Sequence, residues 1–133
     1  MNLIIFNRRD NTLTLSKNFT SKEFLCSCGV CAPHRIDPDL IRRLQRVRDM
    51  LSVSIKITSG FRCAKRQQEL RKGGLQTASG TSTHEMGAAV DITCSDMTAL
   101  LLACEKEFKS IGIAKTFLHV DTRVDKVRRW TYA

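Results

Sequence analysis

The chain is short of most features that announce a function. Among 133 residues there are two prolines, three histidines, one tryptophan and one tyrosine, and aromatic residues make up 6%. No stretch approaches the roughly 20 consecutive apolar residues of a membrane-spanning helix, so no helical span is expected. The opening Met1-Asn2-Leu3-Ile4-Ile5-Phe6 has too short an apolar run for a secretory signal, and no basic segment precedes it. The expectation is therefore synthesis as a soluble cytoplasmic product, which something else must carry or release to any outside destination. Repeats, low-complexity stretches and Pro/Gly/Ser-rich linkers are all missing, which leaves a single domain over 1–133, large enough for one ordinary core. Bases stack on aromatic side chains, so sparse aromatics and the lack of any nucleic-acid-binding motif argue against such a partner.

Positive charge, by contrast, is plentiful. Lys and Arg number 22 against 13 Asp and Glu, for a net charge of +9 and a pI near 9.6. The basic residues cluster at Arg62-Cys63-Ala64-Lys65-Arg66, at Arg71-Lys72 and from Arg123 to Arg129. Such an excess either solubilises the chain through a solvated face or attracts an anionic partner. Hydrophobic content of 42% and charged content of 26% are those of a globular protein.

Six cysteines are an even number, but without an export signal a disulfide framework is not expected. Cys63, Cys94 and Cys104 read as small buried hydrophobes. Cys26-x-Cys28-x-x-Cys31, with His34 three residues later, puts four potential soft ligands within nine residues. That set suits a structural zinc, although its first spacing is tight and the usual second CxxC is missing. The ordinary alternative for His34 is a hydrogen-bonded structural histidine.

Segments Leu3–Phe6 and Leu13–Leu15 read as short strands, and Phe19–Cys31 as a lead-in segment and cysteine loop. Asp37 as N-cap with Pro38 at the first helical position opens a helix whose apolar stripe is Leu40, Leu44, Val47 and Leu51. Ile55–Thr58 reads as a strand. A second helix is expected over Cys63–Arg71, stopped by Gly73-Gly74, followed by a Gly/Ser/Thr-rich loop to Thr83. Ala89–Thr93 reads as a strand. A third helix follows Ser95, with Met97, Leu100, Leu101, Cys104 and Phe108 inward and Gly112 as its stop. Phe117–Asp121 and Val127–Tyr132 read as the last strands. The fold class expected is α+β, a small antiparallel sheet with helices packed on one face.

The chemistry concentrates in Thr83-His84-Glu85-Met86-Gly87-Ala88-Ala89-Val90-Asp91-Ile92 and Phe117-Leu118-His119-Val120-Asp121. Strand alternation sets Asp91 opposite Val90 and Ile92, and His119 opposite Leu118 and Val120, so both polar groups belong to one face. Two imidazoles and a carboxylate are a common ligand set for a catalytic zinc, which keeps a fourth position open. Ser82-x-His84-x-x-Gly87-x-Ala89-x-Asp91, preceded by Ser59-Gly60-Phe61-Arg62 and followed by His119-Val120-Asp121, resembles the zinc D-Ala-D-Ala peptidases of the M15 group. The similarity is greatest to short phage and bacterial members that cut cell-wall peptides, and runs from about Phe19 to Trp130. The resemblance implies the fold shared by D-Ala-D-Ala peptidases and hedgehog signalling domains.

It also implies roles: His84, Asp91 and His119 as zinc ligands, and Arg62 as the substrate-binding cation that stabilises the transition state. Ser82 matches a serine of the family motif and would hydrogen-bond substrate. Many relatives place a Glu, Asp or His three residues before the last histidine ligand; here that position is Thr116, which cannot act as a base. Asp121, two residues beyond His119 and on the same strand face, is then either the substitute base or a partner that orients His119. Glu85 neighbours a ligand but is expected to point away.

The function implied is hydrolysis of peptidoglycan stem peptides by a monomeric D,D-carboxypeptidase or endopeptidase, or by an L-alanyl-D-glutamate endopeptidase, of phage or prophage origin. Such a protein would act at the cell wall after release, or from the virion, and its charge would suit an anionic wall polymer. Two other readings compete. One is a catalytically weak zinc-stabilised binding or virion structural module, favoured by Thr116. The other is a nucleic-acid-binding zinc protein built on the cysteines, which leaves the His/Asp/His set unexplained.

Overall fold

The computed structural model describes residues 2–72 and 83–132. Among these residues, three sheets and three α-helices make an α+β fold. Near the N-terminus, β1 (Ile4–Phe6) pairs antiparallel with β4 (His34–Ile36), and β2 (Thr14–Ser16) pairs with β3 (Phe19–Thr20). A 3-10 turn over Ser21–Phe24 follows β3, with the Thr20 N–H donating 2.7 Å to the Glu23 carboxylate.

The first long helix, α1 (Pro38–Met50), begins where the sequence places it. Asp37 accepts from the Asp39 N–H at 2.9 Å, Pro38 takes the first turn, and Leu40, Ile41, Leu44 and Val47 form the buried stripe. Helix α2 (Ala64–Lys72) follows β5 (Lys56–Ser59). The expected Gly73-Gly74 stop and the loop that follows lie outside the described residues. Helix α3 (Met97–Glu107) is capped by Asp96, which accepts from the Ala99 N–H at 3.0 Å. Among the described residues no helix is long and apolar enough to cross a membrane.

The main sheet adds β6 (Ala89–Thr93), β7 (Ser110–Ile113), β8 (Leu118–Asp121) and β9 (Arg128–Thr131) to β5, in the order β5-β6-β8-β7-β9. Every pair is antiparallel except β7 with β9, which is parallel, so the sheet is mixed and not purely antiparallel as expected. Gly112 does not stop α3. The helix ends five residues earlier, and Gly112 sits inside β7, a strand the sequence pattern did not reveal.

Register assigns the two faces. Val90, Val120 and Ile111 align across β6, β8 and β7, as do Ile92, Leu118 and Ile113. These join Leu40, Leu44 and Val47 of α1 and Leu100 and Cys104 of α3 in one core. The alternate residues make a row on the other face: Ser59, Asp91, His119, Gly112 and Trp130, one from each strand. A second row carries Ala89, Asp121, Ser110 and Arg128. The helix-covered face holds the core, and the opposite face carries the chemistry.

Candidate metal centre

Three local arrangements bring the donor groups together. Asp91 and His119 are cross-strand partners at the middle of the sheet, the best-supported position in it. His84 comes from the turn before β6, closed by Ala88 N–H donating to the Thr83 carbonyl at 2.9 Å. Gly87 in that turn has φ of +73°, and its carbonyl accepts from the Asp37 N–H at 2.9 Å. A Cβ there would run into the Arg35 carbonyl, so only glycine fits on both counts. Lastly, the segment after β5 lies against the 3-10 turn: Phe61 N–H donates to the Phe24 carbonyl at 3.1 Å. A Cβ on Gly60 would come within 2.6 Å of the Phe24 Cα. This close approach aims the Gly60 carbonyl at His84 and sets Arg62 beside Asp91.

The result is a buried triad. His84, Asp91 and His119 are 3%, 6% and 6% exposed. His84 Nε2 and His119 Nδ1 each lie 3.2 Å from the same oxygen, Asp91 Oδ1, and the three donor atoms fall within 4.8 Å of one another. Their chemistry fits a metal. The Gly60 carbonyl, 2.9 Å from His84 Nδ1, can only accept, so Nδ1 carries the proton and Nε2 offers its lone pair inward. His119 is turned the other way: its Nε2 faces Asp121 Oδ2 at 2.9 Å, leaving Nδ1 to point at the shared centre. Each histidine is thus oriented through its second nitrogen, as metal-bound imidazoles are.

Electrostatics set the two imidazoles apart. Burial holds His84 below the ordinary histidine range, against the pull of Asp91 and with help from Arg62. Burial also works against charge on His119, but hydrogen bonds to Asp121 and Asp91 outweigh it and raise that group. Asp91 is desolvated too, yet the adjoining His119 and His84 rings hold it well below the usual carboxylate range. It therefore stays anionic, as a ligand must.

Arg62, 7% exposed, places Nη2 2.9 Å from Asp91 Oδ2, the oxygen that does not face the histidines, and donates from Nε to Ser59 Oγ at 3.1 Å. Asp121 is fully buried behind the His119 ring. Its Oδ2 accepts from His119 Nε2 and from Ser110 Oγ at 2.8 Å, and its Oδ1 accepts from the Arg123 N–H at 3.2 Å and Arg123 Nε at 2.8 Å. Thr116 is exposed in the β7–β8 turn. Ser82 lies outside the described residues.

Sequence reasoning missed the other occupants of this face. Trp130 packs its ring 5.3 Å from that of His119 and 6.4 Å from that of Tyr132, which in turn meets Phe117 at 5.2 Å. Burial, then the nearby Asp91 charge, pushes the Tyr132 hydroxyl up, keeping it protonated beside the triad. The i, i+2 spacing of Trp130 and Tyr132 was the available signal; the parallel β7–β9 pairing that directs it was not visible.

The cysteine expectation needs correcting. His34 is not a fourth ligand: its Nε2 accepts from the Cys26 N–H at 2.8 Å, and its ring lies 5.3 Å from Phe6 and 5.1 Å from Phe61. Burial pushes it down to about 4, with Arg8 adding to the effect, so it is a neutral core histidine. Cys63, expected as a core hydrophobe, instead joins Cys26, Cys28 and Cys31, their sulfurs all within 4.8 Å of one another. Cys104 is buried in the core as expected, and all six cysteines are free thiols.

A buried, pre-oriented His/Asp/His set on the open face of a small mixed sheet could hold one metal ion, and is the kind of ligand set found in single-metal hydrolases. The Peptidase M15 family profile matches residues 17–121, and the chain belongs to that family of zinc-dependent peptidases. The match takes in Arg62, the three donors and Asp121 and ends before Trp130 and Tyr132. No curated protein matches the chain.

Proposed function

We propose that this protein is a zinc peptidase that hydrolyses peptidoglycan stem peptides, as a D,D-carboxypeptidase or endopeptidase or as an L-alanyl-D-glutamate endopeptidase of phage or prophage origin. The convergence of His84 Nε2, His119 Nδ1 and Asp91 Oδ1 carries the reading. Zinc held there would supply a Lewis acid that polarises a peptide carbonyl and acidifies water to a pKa of about 7. The chain's own residues do the rest. Arg62 supplies the cation for the developing oxyanion and can also grip a terminal carboxylate. Ser82 hydrogen-bonds the substrate. Trp130 and Tyr132 wall one side of the site. The net charge of +9 favours approach to an anionic wall polymer.

Asp121 is proposed to orient His119, because its oxygens are already taken by His119, Ser110 and Arg123. The same observation supports a second reading, a zinc-stabilised wall-binding or virion module with little hydrolysis, since a saturated Asp121 is a poor substitute for the base missing at Thr116.

The deciding measurement is digestion of purified peptidoglycan by wild type and His84→Ala, read by mass spectrometry, with metal content determined for both. Zinc-dependent release of peptide fragments, lost in the variant, is expected, and the fragment masses name the bond. Intact walls of several chemotypes in the presence of zinc-loaded wild type would favour the binding module.

A further inference from the structure

We propose that Cys26, Cys28, Cys31 and Cys63 bind a second zinc ion, a structural one, and that this ion fixes the segment that presents Arg62 to the first centre. The metal site stands on its own geometry; the link to Arg62 rests on the role proposed for that residue above.

Four sulfurs within 4.8 Å of one another match what a tetrahedral zinc requires. With zinc–sulfur bonds of about 2.3 Å, neighbouring sulfurs should be about 3.8 Å apart. Cys26 Sγ and Cys63 Sγ are 3.8 Å apart. A disulfide would need about 2 Å. Four protein ligands leave no open position, which marks a structural site.

The surroundings are built for thiolates. Val30 and Cys31 N–H groups point at Cys28 Sγ at 3.5 and 3.3 Å, Cys63 N–H at Cys26 Sγ at 3.4 Å, and Arg66 N–H at Cys63 Sγ at 3.4 Å. Gly29, with φ of +83°, makes the tight turn that aims two of these donors back at Cys28. Four thiolates and one zinc leave a charge of about −2, and a cation is in place: Arg8 Nη2 lies 3.4 Å from Cys28 Sγ and 3.6 Å from Cys31 Sγ, and donates to the Cys26 carbonyl at 2.8 Å. Cys63 sits just before α2, where the helix N-terminus also favours negative charge.

Cys63 is covalently next to Arg62. Metal ligation would therefore tie the Arg62 segment to the cysteine loop across 37 residues of sequence, beside the backbone bond from Phe61 N–H to the Phe24 carbonyl. The Arg62 N–H donates to the His84 carbonyl at 3.3 Å, so the same segment supports both the arginine and a ligand of the first centre.

The test uses the intact chain and needs no substrate. Metal analysis should find two zinc ions per chain in wild type and in Cys94→Ser, and one in each of Cys28→Ser and His84→Ala. Replacement by cobalt(II) should give the intense visible bands and near-ultraviolet thiolate-to-cobalt charge transfer of a tetrathiolate site in wild type and His84→Ala, but not in Cys28→Ser. If Cys28→Ser does not fold, the wild-type cobalt spectrum decides alone. One zinc in wild type, lost in His84→Ala, with no thiolate bands, would overturn the site while leaving the peptidase reading intact. For the positioning role, hydrogen–deuterium exchange should quicken across residues 59–66 in Cys28→Ser while β6 and β8 stay protected. Unchanged exchange in 59–66 would refute it.

Discussion

Replacing Gly112 by alanine tests the sheet face on which the site is built. An added Cβ would lie 2.5–2.7 Å from Cε2, Cζ2 and Nε1 of Trp130, about 1 Å inside normal contact. The indole cannot simply swing aside, because His119 and Tyr132 flank it. Overpacking of this kind costs about 1–3 kcal/mol. The stiffer unfolded chain returns about 0.4–1 kcal/mol of that. A net loss of about 1–2 kcal/mol is expected, or a fall in Tm of about 3–8 °C for a domain of this size. Trp130 is the chain's one tryptophan, so its emission in a urea titration reports both the unfolding and the displaced ring. The same substitution in a Trp130→Leu background, which lacks that fluorophore and is followed by far-ultraviolet circular dichroism instead, should cost little, since the flexible leucine can give way. Wild-type stability and emission in Gly112→Ala, or an equal cost in both backgrounds, would refute the argument.

Asp121→Asn should weaken zinc affinity about 10–100-fold in a chelator competition assay, because His119 loses the charged group that orients it; unchanged affinity with a fall in kcat alone would instead make Asp121 the base. Gly87→Ala should destabilise the chain by about 2 kcal/mol or more in urea, since both the positive φ and the Arg35 carbonyl oppose a side chain. Arg123→Ala should weaken zinc less than Asp121→Asn does, because it removes two side-chain bonds to Asp121 but leaves the carboxylate; an equal or larger loss in the same competition assay would contradict that ranking.

Much of this arrangement was legible in the sequence because it depends on local periodicity. Alternation around Asp91 and His119 put both on one sheet face, and Asp37-Pro38 marked the start of α1. What escaped depended on distant partners. Gly112 read as a helix stop because glycine commonly ends helices; it is a strand residue that makes room for an indole 18 positions on. Cys63 lies 37 residues from Cys26, beyond what spacing rules can join, while nearby His34 turned inward onto Phe6 and Phe61. Strand alternation put Asp121 beside His119 but could not say which ring nitrogen it would meet.

The placement of Asp91 and His119 on adjacent central strands bears on when the metal arrives. Where ligands come from mobile loops, the ion must assemble its own cage, and uptake waits on folding. Here the sheet ladder, and the bonds His84 and His119 make to the Gly60 carbonyl and Asp121, fix the donor atoms through contacts of the chain itself. The fold is therefore expected to depend on an ion at this centre far less than its chemistry would.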